Sequence, residues 1–328
     1  MRPPLVLVLT GATGCGKTDL TRNLFTGSAA LGKAEIICAD SVQVYKGMDL
    51  GAAKPSPDLR LQLPHYIIDI LNPDEPFSAG GFVSRASSAC LRAAEAGALP
   101  VVCGGSLFYL SAFINGMPKT PLSDAEIRNR LKKEFNEKGS AALMEELKKI
   151  DPVSAGRIHI NDSYRLLRAL EVFRQSGKPL SAFNRFGFSD CKEKPFRFVI
   201  ASVTRNRDEL YRRIEKRVFQ MMKEGLAREV EGLYKKGYTP GNSALRAIGY
   251  KEFFYTDEDG AFRLAAERGE AGEEEIAAEI AKNTRHYAKR QLSWIKSLND
   301  VTYIPLDEDD SSFIRAKETL QNILKEAL

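Results

Sequence analysis

Residues 11–18 read GATGCGKT, which sets glycine, lysine and a hydroxyl at the spacing GxxxxGKT. Glycines here let the backbone curl until its N–H groups converge on an anion, and a helix starting there adds the positive end of its dipole. Lys17 could then reach the terminal phosphates of a ligand, and the Thr18 hydroxyl could sit on a Mg²⁺ ion. A purely structural glycine turn would leave Lys17 and Thr18 without a purpose. What hangs on the phosphate is not written in these eight residues.

Other chemistry-bearing residues follow apolar stretches. Asp40, just after Ala34–Cys38, is either an N-cap or a carboxylate emerging beside the phosphate loop. Asp69, within 65–71, could reach Mg²⁺ through water or could cap or pair structurally. Gly104-Gly105-Ser106 forms a second anion nest or a tight packed turn. Arg213 and Arg217, four apart, can reach an anion if their face turns to the site, or pair with Glu209 and Glu215. Arg165 and Arg168, with Arg174 nearby, can meet a nucleic-acid backbone or pair with Asp162 and Glu171. Residues 246–251, RAIGYK, join two cations, a tyrosine and a glycine in a composition that suits close approach to a backbone or base.

Such residues need a scaffold, and the hydrophobic pattern supplies one. Short apolar runs at 5–9, Ala34–Cys38, 65–71, 100–103, 198–203 and Val301–Pro305 read as strands. In a parallel sheet the carboxyl ends of strands lie together on the ligand side, which would gather the loop and Asp40. Helices are expected over 19–25, 77–97, 107–114 and 208–222, the last with Leu210, Ile214, Val218 and Met221 inward. A long helix over 273–298 turns Ile276, Ile280, Ala288, Leu292 and Ile295 to the core. Its Lys282, Arg285, His286, Lys289 and Lys296, with Trp294 nearby, read as a phosphate-contacting surface. The acidic tail reads as a solvated helix.

At Gly116-Met117-Pro118 the character changes. Residues 121–149 are helical in period, with Ser123 as N-cap and Leu131, Phe135, Leu143 and Leu147 inward, and another helix runs from Asn161-Asp162 to Gly177. The expected fold is therefore α/β: a parallel-sheet core from 1–117 plus 198–328, interrupted by an all-helical insertion over 118–197. Charge marks the same segment. Between Pro118 and Pro195 Lys and Arg outnumber Asp and Glu sixteen to eleven, while the rest holds thirty-two of each, so the whole net charge of +5 lies there.

At 328 residues, 43% hydrophobic and 28% charged, the chain has the composition of an ordinary soluble protein and no apolar run of membrane-spanning length. The run at 5–9 is too short for a signal segment, so the cytoplasm is expected. Five cysteines, Cys15, Cys38, Cys90, Cys103 and Cys191, without CxxC spacing point to reduced thiols rather than disulfides or zinc. His65, His159 and His286 are too scattered to propose a metal cluster.

Seven blocks in order, GATGCGKT, DSVQVYKGMDLGAAKP, HYIIDIL, PVVCGGSLFYL, DSYRLLRALEVFRQSGK, RAIGYKE and TRHYAKRQLSWIK, are similar to the tRNA dimethylallyltransferases, also called tRNA isopentenyltransferases. The similarity spans most of the chain. It implies a P-loop NTPase-like core and an insertion that clasps the tRNA anticodon stem-loop. It also implies transfer of a dimethylallyl group from dimethylallyl diphosphate to N6 of adenosine 37 in tRNAs reading codons that begin with U. The family uses the loop for the prenyl diphosphate rather than for ATP hydrolysis.

By the same resemblance, Asp40 matches the family's proposed base, with Ser106, Arg217 and Lys17 as the other catalytic positions. Gly11, Ala12, Thr13, Gly14, Cys15, Gly16, Lys17 and Thr18 would bind the diphosphate, and Thr18 would carry Mg²⁺. The tRNA contacts would be Asp40, Ser41, Val42, Gln43, Ser106, Arg128, Tyr164, Arg165, Leu166, Leu167, Arg168, Arg246, Ala247, Ile248, Gly249, Tyr250, Lys251, Lys282, Arg285, His286 and Lys289. Three departures stand out. Ser106 replaces the usual threonine and keeps its hydroxyl. Cys15 replaces the usual serine and adds a thiol open to oxidation or alkylation. Ala52 lacks a hydroxyl the family usually has. A monomer is expected.

Three rivals share parts of this pattern. An adenylate isopentenyltransferase lacks the large basic insertion, a small-molecule kinase has no use for two separated basic surfaces, and a nucleotide-switched RNA-binding protein would show ATP-dependent RNA affinity.

Overall fold

The computed structural model describes residues 2–28, 30–117, 120–183, 195–265, 272–307 and 311–327. Cys191, one of the five thiols above, lies outside them, as do residues 118–119 and 184–194 of the expected insertion. The chain divides into two compact units, Met1–Phe113 with Lys194–Leu328, and Ile114–Glu193.

The first unit is built on a six-stranded sheet in the order β3-β2-β4-β1-β5-β8, every neighbouring pair parallel. Its strands are β1 (Leu5–Gly11), β2 (Ala34–Cys38), β3 (His65–Tyr66), β4 (Leu99–Cys103), β5 (Arg197–Thr204) and β8 (Val301–Pro305). Because β1, LVLVLTG, is buried at every position, it reads as a continuous apolar run rather than an alternating one. Helices α1 (Lys17–Phe25), α8 (Arg207–Glu224), α10 (Glu273–Ile295) and α11 (Ser311–Ala327) contribute Leu20, Leu24, Leu210, Ile214, Ala288, Ala316 and Leu320 to the core over that sheet. Each such leucine or isoleucine, fully buried, contributes about 1.5–3 kcal/mol. Strands β6 (Phe254–Thr256) and β7 (Phe262–Leu264) make a separate antiparallel pair.

Two expectations change here. The run 65–71 is a strand only at His65–Tyr66, because Ile67 (φ 64°) and Asp69 (φ 56°) turn the backbone into the left-handed region and end the ladder. The tail helix is not merely solvated: Ala316, Leu320 and Leu324 bury one of its faces in the core.

The second unit pairs α5 (Ala125–Ile150) with α7 (Ser163–Ser176). Leu131, Leu143, Met144, Leu147, Leu166, Leu167, Ala169 and Leu170 fill its core, with Phe135 packed against them. Asp124 rather than Ser123 caps α5, accepting the N–H groups of Glu126 and Ile127. Gly139, with φ 79° and ψ 169°, breaks the helical path inside α5. Asp162 caps α7 and Gly177, with φ 67°, ends it, as the sequence led one to expect.

Candidate active site

At the carboxyl end of β1 the chain enters the phosphate loop. Gly16 caps α1 with φ 101°, a backbone that a side chain would strain. Lys17 and Thr18 thus open the helix with N–H groups that have no carbonyl one turn back to bond. The Lys17 amine lies on the loop's own carbonyls, 2.9 Å from Gly11 O and 3.0 Å from Ala12 O. Thr18 is exposed at the helix start. Cys15 is 1% exposed with its Sγ 3.8 Å from Lys17 Nζ, so the thiol is enclosed in the loop rather than presented to reagents.

Three arginines hold the loop, Arg205 from just after β5 and two from α8. Arg205 donates from Nε to Cys15 O (2.8 Å), Arg213 from Nε to Gly14 O (3.0 Å), and Arg217 from Nη2 to the Thr13 hydroxyl (2.8 Å). Of the two that the sequence left open, Arg217 turns wholly to the loop, and Arg213 also touches the Asp19 carboxylate at 3.4 Å. Arg217 Nε is buried with no partner among the described residues. Burial lowers the Arg217 pKa, and the negative charge of Asp40 acts in the opposite sense.

Asp40 follows the next strand, β2. Its Oδ1 accepts the N–H groups of Val42 (2.8 Å) and Gln43 (3.2 Å), so it does cap its own turn. Its Oδ2 accepts no hydrogen bond from the described residues. Ser106, 8% exposed, accepts the Ser41 N–H at 3.0 Å and so ties the second glycine turn to the Asp40 turn. Tyr287 in α10 reaches the same place: burial and then the charge of Asp40 push its phenol up to about 12. The carboxylate, the guanidinium of Arg217 and the phenol thus share one electrostatic neighbourhood.

Asp69 takes the structural option. It pairs with Lys54 and, at 2.7 Å, with Arg60. Burial raises its pKa, but these two cations outweigh that and leave it lowered. The RAIGYK segment also turns inward. Tyr250 is fully buried, donates to Glu229 (2.8 Å) and accepts the Ala52 N–H (3.2 Å). Arg246 donates to Pro240 O at 2.8 Å, while its side chain and that of Lys251 remain exposed. Gly249 (φ 95°) would bring a Cβ to 3.3 Å from Gly51 O, so the close backbone approach is to the protein's own 49–52 turn. Glu229, which carried no signal in the sequence, accepts the N–H groups of Asp49 and Leu50 at 3.0 and 2.8 Å.

Within the helical unit, Glu171 is fully buried and accepts from Arg128 (2.9 Å), the Ser123 hydroxyl (2.6 Å) and the Asp124 N–H (2.9 Å). Arg168 lies 3.0 Å from the same carboxylate. Leu166 and Leu167 are core residues, so among the expected tRNA contacts of this helix only Tyr164 (67% exposed) and Arg165 present open side chains. The Arg128 guanidinium lies 4.8 Å over the Tyr164 ring. Along α10, Lys282 pairs with Glu279 and Arg285 with Glu215, whereas His286 and Lys289 are exposed.

Gln291 was not among the residues expected at the site. This residue, 1% exposed, accepts the Thr13 N–H at 2.8 Å and donates to Gly105 O at 2.8 Å. Its only sequence signal is a polar residue on the inward stripe of an amphipathic helix.

Comparison with known proteins identifies the family. The chain matches the IPP transferase family over residues 43–298. It is 38% identical over 317 residues to tRNA dimethylallyltransferase 1 of Trichlorobacter lovleyi, covering 96% of this chain and 98% of that one. With the tRNA dimethylallyltransferase of Syntrophobacter fumaroxidans it shares 41% identity over 315 residues, 96% of this chain and 86% of the other. The crystal structure of tRNA delta(2)-isopentenylpyrophosphate transferase from Staphylococcus epidermidis superposes with a TM-score of 0.66 at 30% identity, covering 98% and 99% of the two chains. A eukaryotic dimethylallyltransferase acting on tRNA has a TM-score of 0.79 at 24% identity over 98% of this chain and 80% of that one, a likeness of fold.

Proposed function

The chain belongs to the IPP transferase family, the tRNA dimethylallyltransferases, and from that premise we propose the reaction its residues perform. A dimethylallyl group passes from dimethylallyl diphosphate to N6 of adenosine 37 in the anticodon loop of tRNAs reading codons that begin with U, releasing diphosphate. The observation that carries this reading is the meeting of a phosphate loop and a carboxylate turn at the same end of one parallel sheet, with Ser106 tying the second glycine turn to the carboxylate turn.

An exocyclic adenine amine is a weak nucleophile, since its lone pair is delocalised into the ring. As its N6–C bond forms and the allylic C–O bond breaks, the amine must lose a proton, and Asp40 Oδ2 takes it. Asp40 Oδ1, fixed by the Val42 and Gln43 N–H groups, holds that carboxylate in place. Negative charge builds on the departing diphosphate. Lys17, the first-turn N–H groups of α1, and Arg217 with its buried, unpartnered Nε supply the opposing charge. The Thr18 hydroxyl is a hard oxygen donor of the kind Mg²⁺ accepts when phosphate oxygens and water complete its shell, so the residues fit the ion. When bound, Mg²⁺ would neutralise charge on the leaving diphosphate.

Tyr164, Arg165, Arg246, Lys251, His286 and Lys289 are among the exposed residues available to tRNA, by base stacking and phosphate contact. Flipping adenosine 37 from an unpaired loop breaks no base pair, which keeps the cost of presenting it low. No described helix is long and apolar enough to cross a membrane. We place the enzyme in the cytoplasm as a monomer.

The test is a transfer assay with labelled dimethylallyl diphosphate and Mg²⁺, offering an anticodon stem-loop with adenosines at 36, 37 and 38 beside free AMP and ATP. Label is expected on the stem-loop alone. Label on AMP would assign a free-nucleotide prenyltransferase, and ATP consumption without transfer a kinase. In the same assay Asp40→Asn should keep stem-loop binding and lose about 10²–10⁴-fold in rate. A rate within a few-fold of wild type would remove Asp40 as the base.

A further inference from the structure

We propose that Gln291 is a positioning residue whose single amide sets the leaving-group end of the site against the acceptor end. This inference rests on the transfer reaction above and deepens it.

On one side, Gln291 Oε1 accepts the Thr13 N–H at 2.8 Å, and the Thr13 hydroxyl accepts from Arg217 at 2.8 Å. On the other, Gln291 Nε2 donates to Gly105 O at 2.8 Å. The Gly105 turn in turn lies against the Asp40 turn. Ser106 Oγ accepts the Ser41 N–H at 3.0 Å, the Ser106 N–H donates to Ala39 O at 3.1 Å, and a Cβ on Gly104 would fall 2.1 Å from Ala39 O. A continuous hydrogen-bonded chain therefore runs from Arg217 through Thr13, Gln291 and the Gly105 turn to the backbone that carries Asp40.

A carboxamide presents an acceptor and an N–H donor side by side from one planar group, which is what this position demands. Both halves of the buried amide are satisfied, so its orientation is fixed. Gly105 is shaped to it: a Cβ there would lie 2.4 Å from Gln291 Nε2. One turn earlier in α10, the Tyr287 hydroxyl donates to the same Gly105 O at 3.1 Å, a second tether on the acceptor side only. Gln291 also withdraws the Thr13 N–H from the diphosphate, leaving that ligand to the donors further along the loop. Gln291 touches no reacting atom. It sets the separation between the diphosphate donors and the Asp40 carboxylate, and a displacement of about 1 Å in such a pair can cost on the order of 100-fold in rate.

The experiment uses the full-length chain with Mg²⁺. Gln291→Met keeps the side chain's length and removes both hydrogen bonds. It should lower kcat by about 10–100-fold while binding of inorganic diphosphate and of the anticodon stem-loop stays within about 3-fold of wild type. Tyr287→Phe removes the parallel tether and keeps the ring, and it should lower kcat by about 2–5-fold with binding unchanged. A residue with a merely structural role would move the thermal midpoint and leave kcat per folded molecule intact. Wild-type kcat in folded Gln291→Met, or a loss that appears wholly as weaker binding, overturns the proposal. Should Gln291→Met fail to fold, an unchanged kcat in Tyr287→Phe overturns it. A wild type that prenylates AMP instead of the stem-loop would overturn the acceptor assigned above, and the same split would then be measured with AMP.

Discussion

Two helices carry arginines at spacings that look alike in sequence, Arg213 and Arg217 on α8, Arg165 and Arg168 on α7. The structure uses them in opposite ways. Arg217 bonds a neutral hydroxyl and pairs with no carboxylate among the described residues, so its charge is still available to a ligand. Arg168 bonds Pro121 O and lies beside the buried carboxylate of Glu171, which Arg128 also reaches. A cation facing neutral acceptors is poised for an incoming anion, whereas one beside a buried carboxylate already has a counter-ion, which Arg168 shares with Arg128. Arg217 is therefore the arginine we propose acts on the diphosphate, and Arg168 a strut of the helical unit.

Exchanging the two roles by mutation tests the contrast. Arg217→Ala should cost about 10²–10³ in kcat, the range for losing one donor to developing negative charge. Its thermal midpoint should hardly move, since no carboxylate is left orphaned. A drop in stability with normal turnover of the folded protein would reverse the assignment. Glu171→Gln should do the opposite. It strands Arg128 and Arg168 without their counter-ion, and breaking a buried pair costs on the order of 3–5 kcal/mol. Calorimetry of the variant checks that figure, and an unchanged midpoint would mean that the two arginines are not held by this carboxylate.

The same carboxylate predicts a pH dependence. Burial raises the Glu171 pKa, but the Ser123 hydroxyl, Arg168 and the Asp124 N–H outweigh burial and leave it lowered in the folded state. A carboxylate depressed on folding stabilises fully above its unfolded pKa, about 4.3 for glutamate. That contribution fades as pH falls through the lower folded value. Acid titration of the wild type should show this loss below about pH 4, and Glu171→Gln should lack it. An identical acid limb in both proteins would assign the titration to other carboxylates.

What the sequence discloses follows how local the cause is. The phosphate loop, its strand and its helix are legible because glycine, lysine and a hydroxyl act within eight residues, and the strands of 198–203 and Val301–Pro305 announce themselves by apolar runs. Residues 65–71 look no different, yet Ile67 and Asp69 take left-handed backbones that their residue types do not advertise. Asp69 does so in reach of Lys54 and Arg60, partners fifteen and nine residues away. Gln291 was hidden for a stronger reason, since its partners Thr13 and Gly105 lie 278 and 186 residues distant. RAIGYK was legible as a motif but not in its use, because Tyr250 meets Glu229 and Ala52 only in the folded chain. Asp40 stayed open for the opposite reason: it caps its own turn while its charge also acts on Arg217, so the cap does not exclude the second role.

Arg165 offers the mildest and most selective test. It shares α7 with Arg168, yet its side chain is 72% exposed and its one ion-pair partner among the described residues is Asp162, 2.9 Å away. An exposed pair of this kind contributes about 0–1 kcal/mol to stability, so Arg165→Ala should leave the fold almost untouched. If Arg165 meets an RNA phosphate, its removal releases one fewer counter-ion on binding. The slope of log affinity against log salt should then flatten by about one for the stem-loop, with little change in kcat. Arg168→Ala should not mimic this, because Arg168 is held against the buried Glu171 carboxylate and Pro121 O before RNA arrives. A slope unchanged in Arg165→Ala but flattened in Arg168→Ala would show that RNA binding opens the Glu171 cluster, and the two arginines would have to trade places.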